Sequence, residues 1–444
     1  MKETSRGKLY IRSLGCPKNR VDSEIIAGGF IQKGFTPCSE AADADIILIN
    51  TCAFIGPAVE ESIETILDAA RLKANRPGLK LVVSGCMVER YGSELLKELP
   101  EVDLFVRSAD LKETVALLEQ NAVISGADTL GYLQGGADDR LLSTPPHRAY
   151  LKISEGCNNR CTYCLIPSLK GRLRSRKSVE IVGEAARLAD KGVKEITLVG
   201  QDLTAFASDR KEKNGLKGLL KDILAGCDIP WIRLLYLYPD RLDDRLINLI
   251  AENPRILPYF DIPLQHSSDR ILKRMNRNYR LADIESLLTK IRSRIPDAAI
   301  RTTLMAGFPG ESGEDFQILR QFLDKWRLDH VGVFTYCDEE GSAAERLPDK
   351  VDQETMDERK EQLLTLQATI SAENLENFIG SELEVLVEGV SRESDLLLEG
   401  RSRYQGPDID GVVYINEGNC QAGDIVRVRI EESHTYDLVG GIIR

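Results

Sequence analysis

The segment Cys157-Asn158-Asn159-Arg160-Cys161-Thr162-Tyr163-Cys164 carries three thiols within eight residues. It follows closely on the apolar run 149–153, which predicts a β-strand. The thiols are therefore expected in a loop at the carboxyl end of a strand, where parallel α/β folds bind their ligands. An iron–sulfur cubane normally takes four thiolates, and this loop supplies three, so one iron is left open. An open metal position is typical of a catalytic site.

The alternative for these thiols is a zinc knuckle, which needs a fourth ligand nearby. The closest histidine, His147, precedes the predicted strand. The C-x3-C-x2-C spacing at a strand end is similar to the signature of the radical S-adenosylmethionine (SAM) enzymes. That resemblance implies a 4Fe–4S cluster held by Cys157, Cys161 and Cys164, with SAM filling the open iron. An electron from such a cluster cleaves SAM into methionine and an adenosyl radical.

Strand-like and helix-like segments alternate on both sides of this loop. Residues 1–121 are predicted to form an N-terminal domain, with strands at 8–14, 45–50, 79–84 and 103–106 and helices at 22–32, 59–73 and 89–99. This alternation predicts a doubly wound parallel sheet with helices on both faces. Residues 122–147, which are mostly small or polar and include two adjacent prolines, are predicted to be a linker.

Residues 148–377 continue the alternation and predict a partial (β/α)6 barrel of parallel strands. Its strands are expected at 149–153, 195–199, 231–236, 259–262, 299–305 and 330–335, and a long charged helix at 353–377. Residues 378–444 lack helical segments and predict a small antiparallel β-barrel. Its strands are expected at 383–389, 396–403, 411–416 and 425–431.

Three more cysteines follow three predicted strands of the N-terminal domain. Cys16, Cys52 and Cys86 are spaced by about one βα unit each. Neighbouring strands lie about 4.8 Å apart, so equivalent strand ends bring these thiols to one site. A single buried cysteine usually behaves as a small hydrophobe, but three in phase with the fold predict a second cluster with one open iron. The remaining cysteines show no such phasing and are assigned to core or surface.

The order of these parts resembles the radical SAM methylthiotransferase family over nearly the whole chain. Its members insert a methylthio group at an unreactive C–H bond, using two SAM molecules and two 4Fe–4S clusters. One SAM supplies the methyl group, and the other supplies the radical that removes hydrogen from the substrate carbon. The resemblance assigns the auxiliary cluster to Cys16, Cys52 and Cys86 and makes the C-terminal barrel an OB-like TRAM substrate-recognition domain. It implies an electron donor such as flavodoxin or ferredoxin and leaves the sulfur donor open.

Three motifs are similar to the branch of this family that modifies a ribosomal protein. They are residues 13–24 (SLGCPKNRVDSE), 261–266 (DIPLQH) and 406–411 (GPDIDG). The resemblance implies the β-carbon of an aspartate in small-subunit ribosomal protein S-12 as the substrate. Residues 200–204 read GQDLT and depart from the AQDTT expected of this branch. The alternative with the same chemistry is a tRNA adenosine methylthiotransferase, and an alternative of another class is a non-catalytic iron–sulfur assembly or RNA-binding factor.

Further side chains near the predicted strand ends are candidates for holding SAM. Tyr163 is expected to cover the cluster from water, Gln201 and Asp202 to take the SAM amino group, and Gly307 to let the adenosyl moiety approach the backbone. His266 is a candidate catalytic residue, although a lone histidine at a strand end more often has a structural role. A basic run follows the cysteine loop and is expected either to pair with SAM or substrate or to be solvated. It comprises Lys170, Arg172, Arg174, Arg176 and Lys177.

The 444 residues carry a formal net charge of −12 and contain neither an apolar run of membrane-spanning length nor a signal-peptide-like start, so a cytoplasmic protein is expected. Residues 379–444 hold thirteen acidic residues, six arginines and no lysine, a net charge of −7. Because phosphate neutralisation dominates RNA binding, this charge favours a basic protein partner over tRNA, unless the carboxylates are only solvated. Asp408 and Asp410, in a loop between predicted strands, are expected to face that partner.

Overall fold

A computed structural model describes residues 6–125, 132–135, 140–210 and 214–443. Three β-structures follow one another along these residues: an N-terminal parallel sheet, a central open barrel and a C-terminal closed barrel. Parts of the predicted linker, at 126–131 and 136–139, lie outside the described residues. No helix in the described stretches combines the length and apolar character that a bilayer crossing needs.

The N-terminal sheet contains five parallel strands. They are β1 (Gly7–Ser13), β2 (Phe35–Pro37), β3 (Ile46–Thr51), β4 (Lys80–Gly85) and β5 (Leu104–Val106). Their order in the sheet is β2-β1-β3-β4-β5. β3 is buried along its whole length, as a central strand covered by helices requires. The sequence missed β2, because this edge strand has only three residues and is mostly exposed.

Helices cover both faces of this sheet, which confirms the doubly wound arrangement. They are α1 (Pro17–Gln32), α2 (Gly56–Asn75), α3 (Cys86–Tyr91), α4 (Leu95–Glu98) and α5 (Thr114–Glu119). On one face, Phe30 of α1 and Val115 of α5 join the apolar cluster of the strands. On the other face, Ile66 of α2 and Met87 of α3 do the same. The predicted helix 89–99 is broken between α3 and α4, where Gly92 adopts a φ of 52°.

The central barrel contains six parallel strands in two adjoining sheets. The strands are β6 (Arg148–Lys152), β9 (Glu195–Val199), β10 (Trp231–Leu234), β11 (Tyr259–Asp261), β12 (Ala299–Ala306) and β13 (His330–Thr335). They pair as β10-β9-β6 and β11-β12-β13, and a bridge from Ile232 to Ile256 joins the two sheets. The partial (β/α)6 barrel is therefore confirmed. A short antiparallel ribbon of β7 (Ser154–Glu155) and β8 (Arg174–Ser175) flanks the first cysteine loop.

Eight helices accompany the barrel strands within the described residues, and their apolar faces pack on the strands in one large core. They are α6 (Ile166–Lys170), α7 (Ser178–Asp190), α8 (Gly215–Gly226), α9 (Asp244–Glu252), α10 (Asp269–Arg274), α11 (Leu281–Arg294), α12 (Gly313–Trp326) and α13 (Gln353–Glu376). α13 is the long charged helix that the sequence predicts.

The C-terminal barrel closes with five strands in the order β14-β15-β16-β18-β17. They are β14 (Glu382–Val390), β15 (Leu398–Ser402), β16 (Val413–Glu417), β17 (Ile425–Ser433) and β18 (Leu438–Ile442). The sequence missed β18, whose two glycines weaken its strand pattern. The pairing of β16 with β18 is parallel, and the other pairs are antiparallel, so the small barrel is confirmed with one departure from the antiparallel expectation.

Buried ion pairs join the C-terminal barrel to the central barrel. Glu195 in β9 is fully buried and accepts hydrogen bonds from Arg233 at 2.6 Å and from Arg401 of β15 at 2.8 Å. Arg401 also pairs with Glu388 of β14. Burial disfavours the Glu195 carboxylate, but Arg401 and Arg233 outweigh burial and hold its pKa below the ordinary range. The two barrels are therefore held together by charges that are largely shielded from water.

The loop with Asp408 and Asp410 belongs to this interface. The Asp410 side chain is only 2% exposed, so the expectation that it faces a partner is wrong, whereas 39% of the Asp408 side chain stays exposed. Asp408 accepts hydrogen bonds from Arg148 of β6 at 2.8 Å and from the Tyr150 hydroxyl at 3.2 Å. The Tyr259 hydroxyl donates to Asp410 at 2.6 Å. These carboxylates are neutralised by the central barrel, and the acidic surface available to a partner is smaller than the count of charges indicates.

Replacing Arg401 by methionine is expected to loosen the C-terminal barrel, because Glu195 and Glu388 would each lose a buried cationic partner. Removing one partner of a buried ion pair costs about 3–5 kcal/mol. Urea unfolding followed by circular dichroism measures the loss of stability, and limited proteolysis shows whether the C-terminal barrel is released first.

Arg429→Met is the matched control within the same barrel. Arg429 pairs with Glu382 at 2.9 Å, and both side chains are largely exposed. An exposed pair contributes about 0–1 kcal/mol. Equal effects of the two substitutions would show that the buried pairs do not hold the barrels together.

Candidate active site

The first cysteine triad lies in the loop between β7 and α6. Cys157 donates its backbone N–H to the Gly171 carbonyl at 3.1 Å, and Cys164 donates its own to the Cys161 carbonyl at 3.1 Å. Gly156 adopts a φ of 73°, and a Cβ at this position would meet a backbone carbonyl oxygen at 2.3 Å. The backbone hydrogen bond of Cys157 thus anchors the start of the loop, and the hydrogen bond from Cys164 to Cys161 forms a turn at its end. None of the three thiols forms a disulfide.

The second triad follows three adjacent strands of the N-terminal sheet. Cys16 lies between β1 and α1, Cys52 follows β3, and Cys86 is the first residue of α3, directly after β4. β3 pairs in parallel with both β1 and β4, so the carboxyl ends of the three strands meet at one edge of the sheet. The structure therefore brings together the three cysteines that the sequence predicts to converge.

Two glycines let the backbone approach the second triad closely. A Cβ on Gly15 would lie 2.7 Å from the Cβ and 2.9 Å from the Sγ of Cys52. A Cβ on Gly85 would lie 2.3 Å from Oδ1 of Asn50. Both glycines have positive φ angles, 77° and 101°, which other residues rarely adopt. The glycines that precede Cys16 and Cys86 thus pack directly against residues 50–52.

Burial disfavours the ionised form of four of the six thiols. It raises the pKa of Cys86 and of Cys164 to about 12 and raises the pKa of Cys52 and of Cys157 above the ordinary value. A thiol binds iron only as the thiolate, so cluster binding must displace these protons. The buried thiols are therefore suited to a cationic metal group rather than to existing as free thiolates.

A cubane and a single metal ion place different demands on three thiolates. Within the described ranges, no three His, Cys, Asp or Glu side chains are grouped closely enough to hold one metal ion. A tetrahedral zinc ion binds each thiolate at about 2.3 Å and draws its ligands together. A cubane binds each thiolate through a different iron, so its ligands stand further apart.

An aromatic and a cationic side chain lie beside the first triad. The Tyr163 ring meets the Phe308 ring edge-on, with 6.5 Å between centroids. Arg277 donates to Sγ of Cys161 at 3.4 Å and lies over the Tyr238 ring at 4.4 Å. Arg277 carries no signal in the sequence, because it is 116 residues from Cys161 and belongs to no motif.

Asp202 holds the first cysteine loop. Its carboxylate accepts hydrogen bonds from Nδ2 of Asn159 at 2.9 Å and from Arg241 at 2.5 Å. It also caps the turn that follows β9 by accepting from the backbone N–H of Ala205 at 3.2 Å. Gln201, beside it, is partly buried. Asp202 therefore binds Asn159, two residues after Cys157, and the sequence spacing alone does not reveal this contact.

Gly307 and His266 both pack inside the protein. Gly307 has a φ of 77°, and a Cβ there would lie 2.0 Å from Cγ of Met356, so the close approach at this glycine is made by α13. His266 is fully buried, its Nδ1 accepts from the Ser268 N–H at 2.9 Å, and its Nε2 lies 3.5 Å from Glu311. These contacts support the structural role for His266.

The basic run after the cysteine loop does not form one solvated surface. Arg176 is buried and donates to Glu184 at 2.7 Å and to the Lys152 carbonyl at 2.6 Å. Lys170 is also buried, whereas Lys177 is exposed. The expectation of a solvated loop is therefore wrong for Arg176 and Lys170.

A buried charge cluster of Asp22, Lys152, Glu155 and Lys170 lies between the two triads. Lys152 of β6 pairs with Asp22 of α1 and, at 2.9 Å, with Glu155. Lys170 of α6 is 3.8 Å from Asp22, and its Nζ forms no hydrogen bond with a described residue. Burial disfavours the charge of Lys170, but Cys86, Glu155 and Asp22 outweigh burial and raise its pKa. The cluster is adjacent to both triads, because Glu155 precedes Cys157 by two residues and Lys170 faces Cys86.

Glu339, in the loop after β13, ties the second triad to the central barrel. Its buried carboxylate accepts a hydrogen bond from Arg90 at 2.7 Å, and Arg90 also donates to the Ala53 carbonyl at 3.1 Å. Ala53 follows Cys52, and Arg90 shares α3 with Cys86. One carboxylate therefore positions two of the three cysteines, although it lies 249 residues from Arg90 and gave no sequence signal.

The chain matches known families along most of its length. Residues 8–107 match the uncharacterized protein family UPF0004, residues 151–323 the radical SAM superfamily and residues 379–443 the TRAM domain. It is 49% identical to a protein of Desulfotalea psychrophila named ribosomal protein uS12 methylthiotransferase RimO, over 98% of this chain and 99% of that protein. It is 46% identical to the protein of the same name from Myxococcus xanthus, over 100% of this chain and 93% of that protein. The chain belongs to the RimO family.

Solved structures share the fold of this RimO-family chain at low sequence identity. The radical SAM methyltransferase TsrM from Kitasatospora setae, with cobalamin and a 4Fe–4S cluster bound, superposes with a TM-score of 0.54 at 16% identity, over 75% of each chain. The cobalamin-dependent radical SAM enzyme OxsB superposes with a TM-score of 0.51 at 11% identity, over 82% of this chain and 56% of that chain. As a radical SAM protein of the RimO family, the chain uses SAM and 4Fe–4S clusters as cofactors.

Gly15→Ala is expected to displace Cys52 and to prevent assembly of the cluster at the second triad, because the added Cβ would overlap the Cys52 side chain. Anaerobic reconstitution should then yield roughly half the iron of the wild type, as one of two cubanes is lost. Iron and sulfide analysis measures this, and electron paramagnetic resonance identifies the cluster that remains.

Gly29→Ala, in the last turn of α1, is the control. An added Cβ there meets no atom within 4 Å, and alanine favours a helix. This variant should bind as much iron as the wild type. An unchanged iron content in Gly15→Ala would contradict a cluster at the second triad.

Proposed function

We propose that this chain is a radical SAM methylthiotransferase that modifies the β-carbon of an aspartate in ribosomal protein S-12 (uS12). The main observation in support of this proposal is that two cysteine triads, one on the barrel and one on the N-terminal sheet, flank a single buried charge cluster. Full-length relatives at 49% and 46% identity bear the name of this activity. A substrate of the small ribosomal subunit is consistent with a cytoplasmic location, which we also propose.

We assign the SAM-binding cluster to Cys157, Cys161 and Cys164, and the auxiliary cluster to Cys16, Cys52 and Cys86. When bound, these clusters and SAM supply the one-electron chemistry and the methylthio group. The first triad lies at a barrel strand end, where the open barrel gives a small molecule access. The second triad lies on a separate sheet, held against the barrel by Glu339 and by the buried charge cluster.

The surrounding side chains orient the first triad and exclude water from it. Arg277 donates to Sγ of Cys161 and so orients this side chain. Asp202 fixes the loop through Asn159, and Tyr163 with Phe308 covers it with apolar surface. We assign binding of SAM to the neighbourhood of Gln201, Asp202 and Gly307, and we propose a flavodoxin or ferredoxin as the electron donor.

The remaining acidic surface of the C-terminal barrel supports a basic protein partner. Besides the partly exposed Asp408, its strands and turns carry further exposed carboxylates. They are Glu382, Glu384, Glu393, Asp395, Glu417, Asp424, Glu431 and Glu432. Such a surface attracts a basic ribosomal protein and repels the phosphates of tRNA.

Replacing each triad by alanine is expected to separate the two half-reactions. Without Cys157, Cys161 and Cys164, the chain should bind about one cubane and cleave no SAM, because the SAM-binding iron is lost. Without Cys16, Cys52 and Cys86, it should also bind about one cubane, cleave SAM and form no methylthiolated product. Iron analysis, chromatography of deoxyadenosine and mass spectrometry of the product measure these outcomes. Methylthiolation by the second variant would contradict the assignment of the auxiliary cluster.

The substrate is tested in cells that lack this protein. Ribosomal protein S-12 should lose a mass of one methylthio group on an aspartate, and complementation should restore it. Tandem mass spectrometry of S-12 and nucleoside analysis of tRNA measure both candidates in the same cells. An unchanged S-12 with a missing methylthioadenosine in tRNA would replace the proposed substrate by tRNA.

A further inference from the structure

Lys18, within the segment 13–24, is a buried cation next to the second triad. It lies in the first turn of α1, two residues after Cys16, and only 7% of the residue is exposed. Its Nζ lies 3.7 Å from the centroid of the Tyr236 ring. The backbone of Lys18 thus belongs to the side of the second triad, whereas its ammonium reaches the central barrel.

This ammonium has no carboxylate partner in the part of the chain that the structure describes. The nearby Glu155 carboxylate is paired with Lys152 at 2.9 Å, and Lys152 also forms an ion pair with Asp22. An ammonium has three donors, and the ring face and the hydroxyl of Tyr236 satisfy only part of this demand. Because a buried charge is costly unless it is paired, Lys18 is suited to an anion that arrives from outside the chain.

Tyr236 is held in an unusual backbone conformation beneath this ammonium. It follows β10 at the mouth of the barrel and adopts a φ of 64°, which is rare for a bulky residue. Its N–H donates to Asp261 at 2.9 Å, and its carbonyl accepts from the Leu203 N–H at 3.0 Å. Strained residues of this kind cluster at functional sites, where the surrounding contacts hold them.

We propose that Lys18 binds the side-chain carboxylate of the target aspartate, an inference that rests on the proposed function. The substrate carbon must reach both SAM in the barrel and the sulfur delivered at the second triad. Lys18 spans these two places, and the carboxylate is one bond away from the β-carbon. The amino end of α1 adds the positive end of a helix dipole at the same position. Lys18 is thus a specificity-determining residue that selects an acidic side chain and orients its β-carbon.

The test pairs a change in the enzyme with a change in the substrate. Two peptides of the S-12 target segment, one with the aspartate and one with asparagine in its place, are titrated against the anaerobically reconstituted, SAM-bound chain. We expect the wild type to bind the aspartate peptide about 10- to 100-fold more tightly, the range of a hydrogen bond to a charged group. Lys18→Met should bind both peptides equally, and Lys18→Arg should keep part of the preference. Fluorescence anisotropy measures the four dissociation constants for each pair of variants.

Lys33→Met, at the exposed end of the same helix, is the matched control and should keep the wild-type preference. The iron content of each variant shows whether it is folded and carries its clusters. If Lys18→Met fails this check, Lys18→Gln is used in its place. A Lys18→Met variant that still prefers the aspartate peptide would overturn the inference. The inference would also be overturned if Lys18→Met weakened the binding of both peptides by the same factor, or if it lowered only the affinity for SAM. Failure of the wild type to bind either peptide would instead overturn the proposed substrate.

Discussion

The pairing of buried charges between separate sheets is the constraint on which the rest of the structure depends. Lys152 on the first barrel strand pairs with Asp22 on α1 and with Glu155 beside the first cysteine loop. A buried charge without a partner would cost several kcal/mol, so the N-terminal sheet can dock on the barrel only in the orientation that satisfies all of them. α1 carries Cys16 at its amino end, and this docking therefore sets where the second triad lies relative to the first.

Both triads are positioned by the carboxyl ends of parallel strands. In the N-terminal sheet, three adjacent strands deliver one cysteine each to a common edge, and glycines let their backbones meet. In the barrel, one strand delivers a loop that contains all three thiols. The first triad is consequently local and is held by its own turn, whereas the second depends on the sheet and on Glu339 across the interface.

The C-terminal barrel shows how a charge count misleads when the charges are partly internal. Glu388, Asp408 and Asp410 are among its thirteen acidic residues, yet Arg148, Arg401 and the Tyr259 hydroxyl bind them. These contacts fix the small barrel to the side of the central barrel. The carboxylates that stay exposed on its strands and turns remain available to a basic partner, so docking of the small barrel uses only part of one acidic set.

The sequence by itself determined the α/β alternation, the parallel sheets and the phase of the six cysteines, because these follow from local periodicity and from strand ends one βα unit apart. Only the tertiary structure decided which charges meet. Asp22 and Lys152 are 130 residues apart, Glu195 and Arg401 206, and Arg148 and Asp408 260. No local pattern encodes such pairs, since an ion pair depends on distance in space and on burial. For the same reason Arg277 and Glu339 gave no sequence signal, and no local pattern shows that the Lys18 ammonium reaches the Tyr236 ring of the central barrel.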